Sequence, residues 1–138
     1  ILLANPGKNR SSFIDLEFSR NAWGRQRFSF EAPVNVALDT PKITHDAHFE
    51  IGRDKYNHKP LPMSNQAAKT SEKSFPGIFI RAPRFIEESI RCEKIASLEQ
   101  ETVGILQGSK LALTFHPELT NDRRFHRWLI SQAISKKQ

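Results

Sequence analysis

Between Gly77 and Phe115 the chain carries four short apolar runs, Gly77–Ile80, Glu93–Leu98, Thr102–Gln107 and Leu111–Phe115, and a stretch with helical spacing follows at once. Runs of this length, rich in Ile, Leu, Val and Phe and bounded by polar or turn-forming residues, read as strands. Arg81-Ala82-Pro83 closes the first run at a turn, and Gly108-Ser109 between the last two is a hairpin signal. Beyond them Thr120 and Asn121 are candidate N-caps and Asp122 falls in the first turn. Phe125, Trp128, Leu129 and Ala133 then recur at helical intervals. The spacing predicts strands closed by a C-terminal amphipathic helix.

Upstream, Phe13–Phe18 alternates apolar and acidic residues after its first two positions, and Arg27–Ala32 alternates again, so two half-buried strands are predicted around a structured loop punctuated by Gly24. From about residue 37 to 74 the pattern dissolves into His, Lys, Asn, Pro and Ser, which predicts a long surface loop. His45, His48 and His58 lie in that loop with no cysteine beside them, so a solvated insertion is expected and no metal. The opening Ile1-Leu2-Leu3-Ala4 reads like the inside of a helix, and the chain is expected to begin partway through an element.

A length of 138 residues with 38% hydrophobic and 26% charged residues fits one soluble domain. No run approaches the roughly 20 apolar residues of a membrane-spanning helix. The single cysteine, Cys92, rules out an intramolecular disulfide and a thiolate-rich zinc site, and suits a reducing compartment, with cytoplasm as the expectation. The net charge of +6 is spread along the chain, side by side only at Arg123-Arg124 and Lys136-Lys137, so neither a nucleic-acid nor a membrane partner is expected. Trp23 and Phe28 with Arg25 and Arg27 could stack nucleic-acid bases, but a packed loop is the preferred reading.

The segment Phe115-His116-Pro117-Glu118-Leu119 is the most informative chemically. Residues two apart at a strand's exit point to the same side, so His116 and Glu118 are expected to converge, with Pro117 stiffening the link. An imidazole oriented by a carboxylate is a general base whose protonated form the carboxylate supports. Such a pair needs a nucleophile. Cys92, between Arg91 and Glu93 with no glycine elbow or helix start to activate it, reads as an inert thiol.

Three segments together resemble a known family. "FHPELT" at 115–120 is similar to the His-Pro-Glu motif near the end of class I glutamine amidotransferases. "RNAWGRQ" with "SFEA" at 20–26 and 29–32, and "FPGIFIRAP" at 75–83, resemble the vitamin B6 branch, the glutaminase subunits of pyridoxal 5'-phosphate synthase. The resemblance covers residues 1–36 and 75–135. It implies a flavodoxin-like α/β fold with the site at the C-terminal ends of parallel strands, of which residues 1–138 are the C-terminal portion of a single domain with an insertion at about 37–74. It implies hydrolysis of L-glutamine to glutamate and ammonia for a partner synthase subunit, without a cofactor. His116 matches the catalytic base, Glu118 its orienting acid, Arg20 a glutamine-binding arginine, and Ile80 and Arg81 substrate-contacting positions. An arginine fork suits an amino-acid carboxylate. The family's nucleophilic cysteine, on a Gly-Thr-Cys-Ala-Gly type turn, is expected a few residues before Ile1. The chain alone is then expected to be inactive and poorly stable. The alternative is a non-catalytic paralogue that only binds the synthase.

Overall fold

The computed structural model describes residues 7–20, 29–39 and 73–135. Its centre is a five-stranded sheet of β2 (Ser29–Val36), β3 (Ser74–Ile80), β5 (Glu93–Leu98), β6 (Glu101–Gln107) and β7 (Lys110–Leu113). The strands lie in the order β3-β2-β5-β6-β7 and every pairing is antiparallel. Parallel pairing, implied by the resemblance, is therefore absent among the described strands. For two of these pairings the reason is local: β5–β6 and β6–β7 are joined by links of two residues, which can only return a strand beside its predecessor. Gly108 adopts φ +62° in the second link, a left-handed conformation that favours glycine. A two-residue ribbon, β1 (Phe18–Ser19) with β4 (Arg84–Phe85), completes the strands.

β2 and β3 approach closely because Gly77 has no side chain. A Cβ there would lie 2.5 Å from Val34 Cγ2 and 2.9 Å from Phe79 Cε2. Phe75 and Phe79, both fully buried, pack with Phe115 and Phe125 in tilted and edge-to-face pairs at ring separations of 4.9–5.7 Å. Phe30 lies flat on Phe79 at 4.7 Å. Each such aromatic pair adds about 0.5–1.5 kcal/mol beyond its area burial. A second cluster gathers Ile14, Leu16, Ile90 and Ile105.

The alternation at 13–18 reappears as burial, with Ile14 and Leu16 inside and Phe13, Asp15 and Glu17 outside, but only Phe18 enters a ladder. Its amides are satisfied by side chains instead: Asp15 N–H donates to Gln107 Oε1 and Glu17 N–H to Ser89 Oγ. The second predicted strand begins at Ser29 and runs on to Val36, while residues 21–28 and 40–72, which hold Trp23, His45, His48, His58 and most of the predicted loop, lie outside the described residues. The last strand stops at Leu113 rather than Phe115.

Helix α1 (Arg124–Ser135) starts later than the candidate caps. The Thr120 hydroxyl is taken up by the carbonyls of Pro117 and Asp122, and Asp122 Oδ1 accepts from the Arg124 amide. Phe125 and Trp128 face inward, whereas Leu129, Ile130 and Ile134 are exposed and Ala133 joins them, so the apolar stripe is narrower than the spacing predicts. No described helix is long and apolar enough to cross a membrane.

Candidate active site

After β7 the chain bends and returns alongside β3, where the His116 amide donates to the Ile78 carbonyl at 2.8 Å. Phe115, buried in the aromatic cluster, anchors the residue just before. His116 is extended (φ −101°, ψ 91°), as the residue before a proline should be. Pro117 then opens a 3-10 turn, Pro117–Leu119. The turn, rather than the strand exit that alternation suggested, brings the two side chains together.

His116 Nδ1 lies 2.7 Å from Glu118 Oε1. Partial burial alone would lift the Glu118 carboxyl. Hydrogen bonds from His116 and from its own backbone amide, with the nearby charges of His116 and His126, outweigh that and hold it below its ordinary value. A carboxylate only accepts, so Nδ1 carries the proton of the neutral ring and Nε2 keeps its lone pair. Both side chains are accessible, at 41% and 54% exposure, as a proton-exchanging pair must be.

Ile80 is the last residue of β3, two positions beyond the carbonyl that holds His116, and is half-buried. Arg81 follows, exposed and left-handed at φ +43°, a conformation that carries strain in a side-chain-bearing residue. Arg20 directly follows β1 and is exposed. The β1–β4 register, Ser19 opposite Arg84, carries it toward Pro83, two residues from Arg81. The fold thus pairs His116 with Glu118 and ties the His116 backbone to β3 two positions before Ile80, while the β1–β4 register brings the Arg20 backbone toward the turn that follows.

Two features escape sequence reasoning. The Ile78 carbonyl is one, because a backbone acceptor leaves no mark in residue type. The other is the ion pair of Arg84 with Glu101, in which Nε donates to Oε1 at 2.7 Å and Nη2 to Oε2. This pair borders a cleft of about 740 Å³ lined by Phe30, Glu31, Glu87 and Leu98 among others. The cleft includes neither His116 nor Glu118. The hydrogen-bonded pair marks the chemistry better, since the lining of the cleft holds neither an imidazole nor a thiol. Cys92 packs against the second cluster, and burial pushes its thiol up from the ordinary value, the opposite of an activated nucleophile. No group of three or more metal-ligating side chains exists among the described residues.

A profile of the SNO glutamine amidotransferase family matches residues 54–135. The pyridoxal 5'-phosphate synthase subunit PdxT of Pyrococcus furiosus is 33% identical over 135 residues, covering 97% of this chain and 52% of that protein. PdxT of Thermotoga maritima is 34% identical over 137 residues, covering 96% and 56%. A crystal structure described as a glutamine amidotransferase superposes with a TM-score of 0.60 at 33% identity, covering 93% of this chain and 50% of that one. The chain spans about half the length of the curated relatives it matches.

Proposed function

The chain belongs to the SNO glutamine amidotransferase family, and from that premise we propose that the protein is the glutaminase subunit of a pyridoxal 5'-phosphate synthase, releasing ammonia from L-glutamine for a synthase partner. The observation that carries this reading is the 2.7 Å contact of His116 Nδ1 with Glu118 Oε1, which leaves Nε2 free to take a proton.

In this reading His116 Nε2 takes the proton of a cysteine thiol, and the thiolate attacks the amide carbon of glutamine. The C–S bond forms, the carbonyl oxygen takes up negative charge, and the proton returns through His116 to the departing nitrogen as the C–N bond breaks and ammonia leaves. His116 then deprotonates water, which hydrolyses the thioester to glutamate. Glu118 supports the imidazolium in each half-reaction. Arg20 pairs with the substrate carboxylate, and Ile80 and Arg81 border the substrate. In this reading the thiolate is not that of Cys92, which packs against the second cluster with its thiol pushed up by burial. None of these steps calls for a metal or an organic cofactor.

The test is ammonia release from glutamine in the presence of the synthase, with protein that carries the nucleophile. His116→Ala is expected to lower turnover about 10³-fold or more, while calorimetry still detects glutamine binding. Near-normal turnover would remove His116 from the mechanism. A second reading, a non-catalytic module that only binds the synthase, is favoured by the location of the sole cysteine away from the pair. Synthase binding without glutamine-dependent ammonia release would establish it.

A further inference from the structure

Arg124 is nearly buried, and its guanidinium does more than join a neighbouring carboxylate. Nε lies 3.0 Å from Asp122 Oδ2 and Nη2 2.7 Å from the same oxygen, while Nη2 also donates to the Ser74 carbonyl at 2.9 Å. The fork lies over the Phe75 ring, with Cζ 5.5 Å from its centroid. Side-chain exposure is 10% for Arg124 and 12% for Asp122. Buried ion pairs are often no more stabilising than well-packed apolar pairs, and what this one supplies is a defined geometry.

That geometry bears on the His-Glu turn. The segment from His116 to Arg124 is held to β3 at both ends, through Ile78 at the first and Ser74 at the last. Between these points the Thr120 hydroxyl bridges toward the carbonyls of Pro117 and Asp122, and Arg123 Nη1 reaches the Glu118 carbonyl. We propose that the Asp122–Arg124 ion pair is a positioning device that holds Glu118 against His116 by clamping the far end of their turn to β3. The catalytic consequence rests on the glutaminase reading above; the positioning itself does not.

The Glu118 carboxyl is faced by His116 and His126, while Arg123 reaches only its backbone carbonyl, so its titration reports its placement. NMR titration of the Glu118 carboxyl and His116 ring in the full-length protein, alongside thermal melts, tests the proposal. Asp122→Asn keeps the side-chain shape, and Arg124→Lys keeps the charge but loses the fork, so a second variant remains if one unfolds. Both are expected to move the Glu118 midpoint up toward the ordinary carboxylate range and to weaken its coupling to His116. Turnover of glutamine is expected to fall about 10- to 100-fold with KM little changed. A Glu118 midpoint that stays in place while only the melting temperature drops would overturn the proposal. If the midpoint moves but the wild-type protein releases no ammonia from glutamine, the positioning stands and the glutaminase reading falls.

Discussion

Glu118 shows how much one carboxylate can contribute without being deeply buried. At 54% exposure its ion pair with His116 is screened by water, so its contribution to folding is small and its effect lies in the tautomer and orientation it gives the ring. Glu118→Gln tests this separation. The amide oxygen can still accept from Nδ1, so the fold and melting temperature are expected to stay close to wild type. The support for the imidazolium is lost, and glutamine turnover is expected to fall about 10²- to 10⁴-fold, measured as ammonia release. A large drop in melting temperature with turnover intact would assign Glu118 a structural role instead. His116 and Glu118 were legible in the sequence because they are two residues apart and flank a proline. Ile78 and Arg124 were not legible as their supports, since the contacts join β3 to a distant segment and one uses only backbone atoms.

Strands show a similar division between what is local and what is not. Glu93–Leu98 lies where its residues predict, and the Gly108-Ser109 hairpin forms because hydrophobic runs and turn residues are contiguous. Phe13–Phe18 has the predicted burial but hardly any ladder, because alternation reports which side chains are inside and leaves open whether backbone or side-chain partners meet the amides. Gly77 lies inside a predicted strand without its role being visible, since the requirement comes from Val34 on the neighbouring strand. Gly77→Ala is expected to destabilise the fold by about 1–3 kcal/mol through overpacking, read as a lower denaturant midpoint. An unchanged midpoint would mean that β2 and β3 can move apart freely.

Taken together, the strands, the helix and the superposition at 33% identity bear out the α/β glutamine amidotransferase fold, with the antiparallel strands as its described part. The whole chain carries 21 Lys and Arg against 15 Asp and Glu, so acidification adds self-repulsion to a molecule already at +6. Native contacts sharpen this. Burial would lift the Glu87 carboxyl, but hydrogen bonds from Lys94 Nζ at 2.7 Å and from the Thr102 amide at 2.6 Å outweigh it and hold the value down. A carboxyl depressed in the folded state stabilises fully above its unfolded value, and that contribution disappears as pH falls through the folded one. The melting temperature is therefore expected to decline as pH drops below about 4.3, the ordinary glutamate value. Glu87→Gln should be less stable than wild type at neutral pH and converge on it in acid, because protonation has by then removed the same charge. Parallel melting curves for the two proteins from neutral to acidic pH would show that Glu87 makes no such contribution.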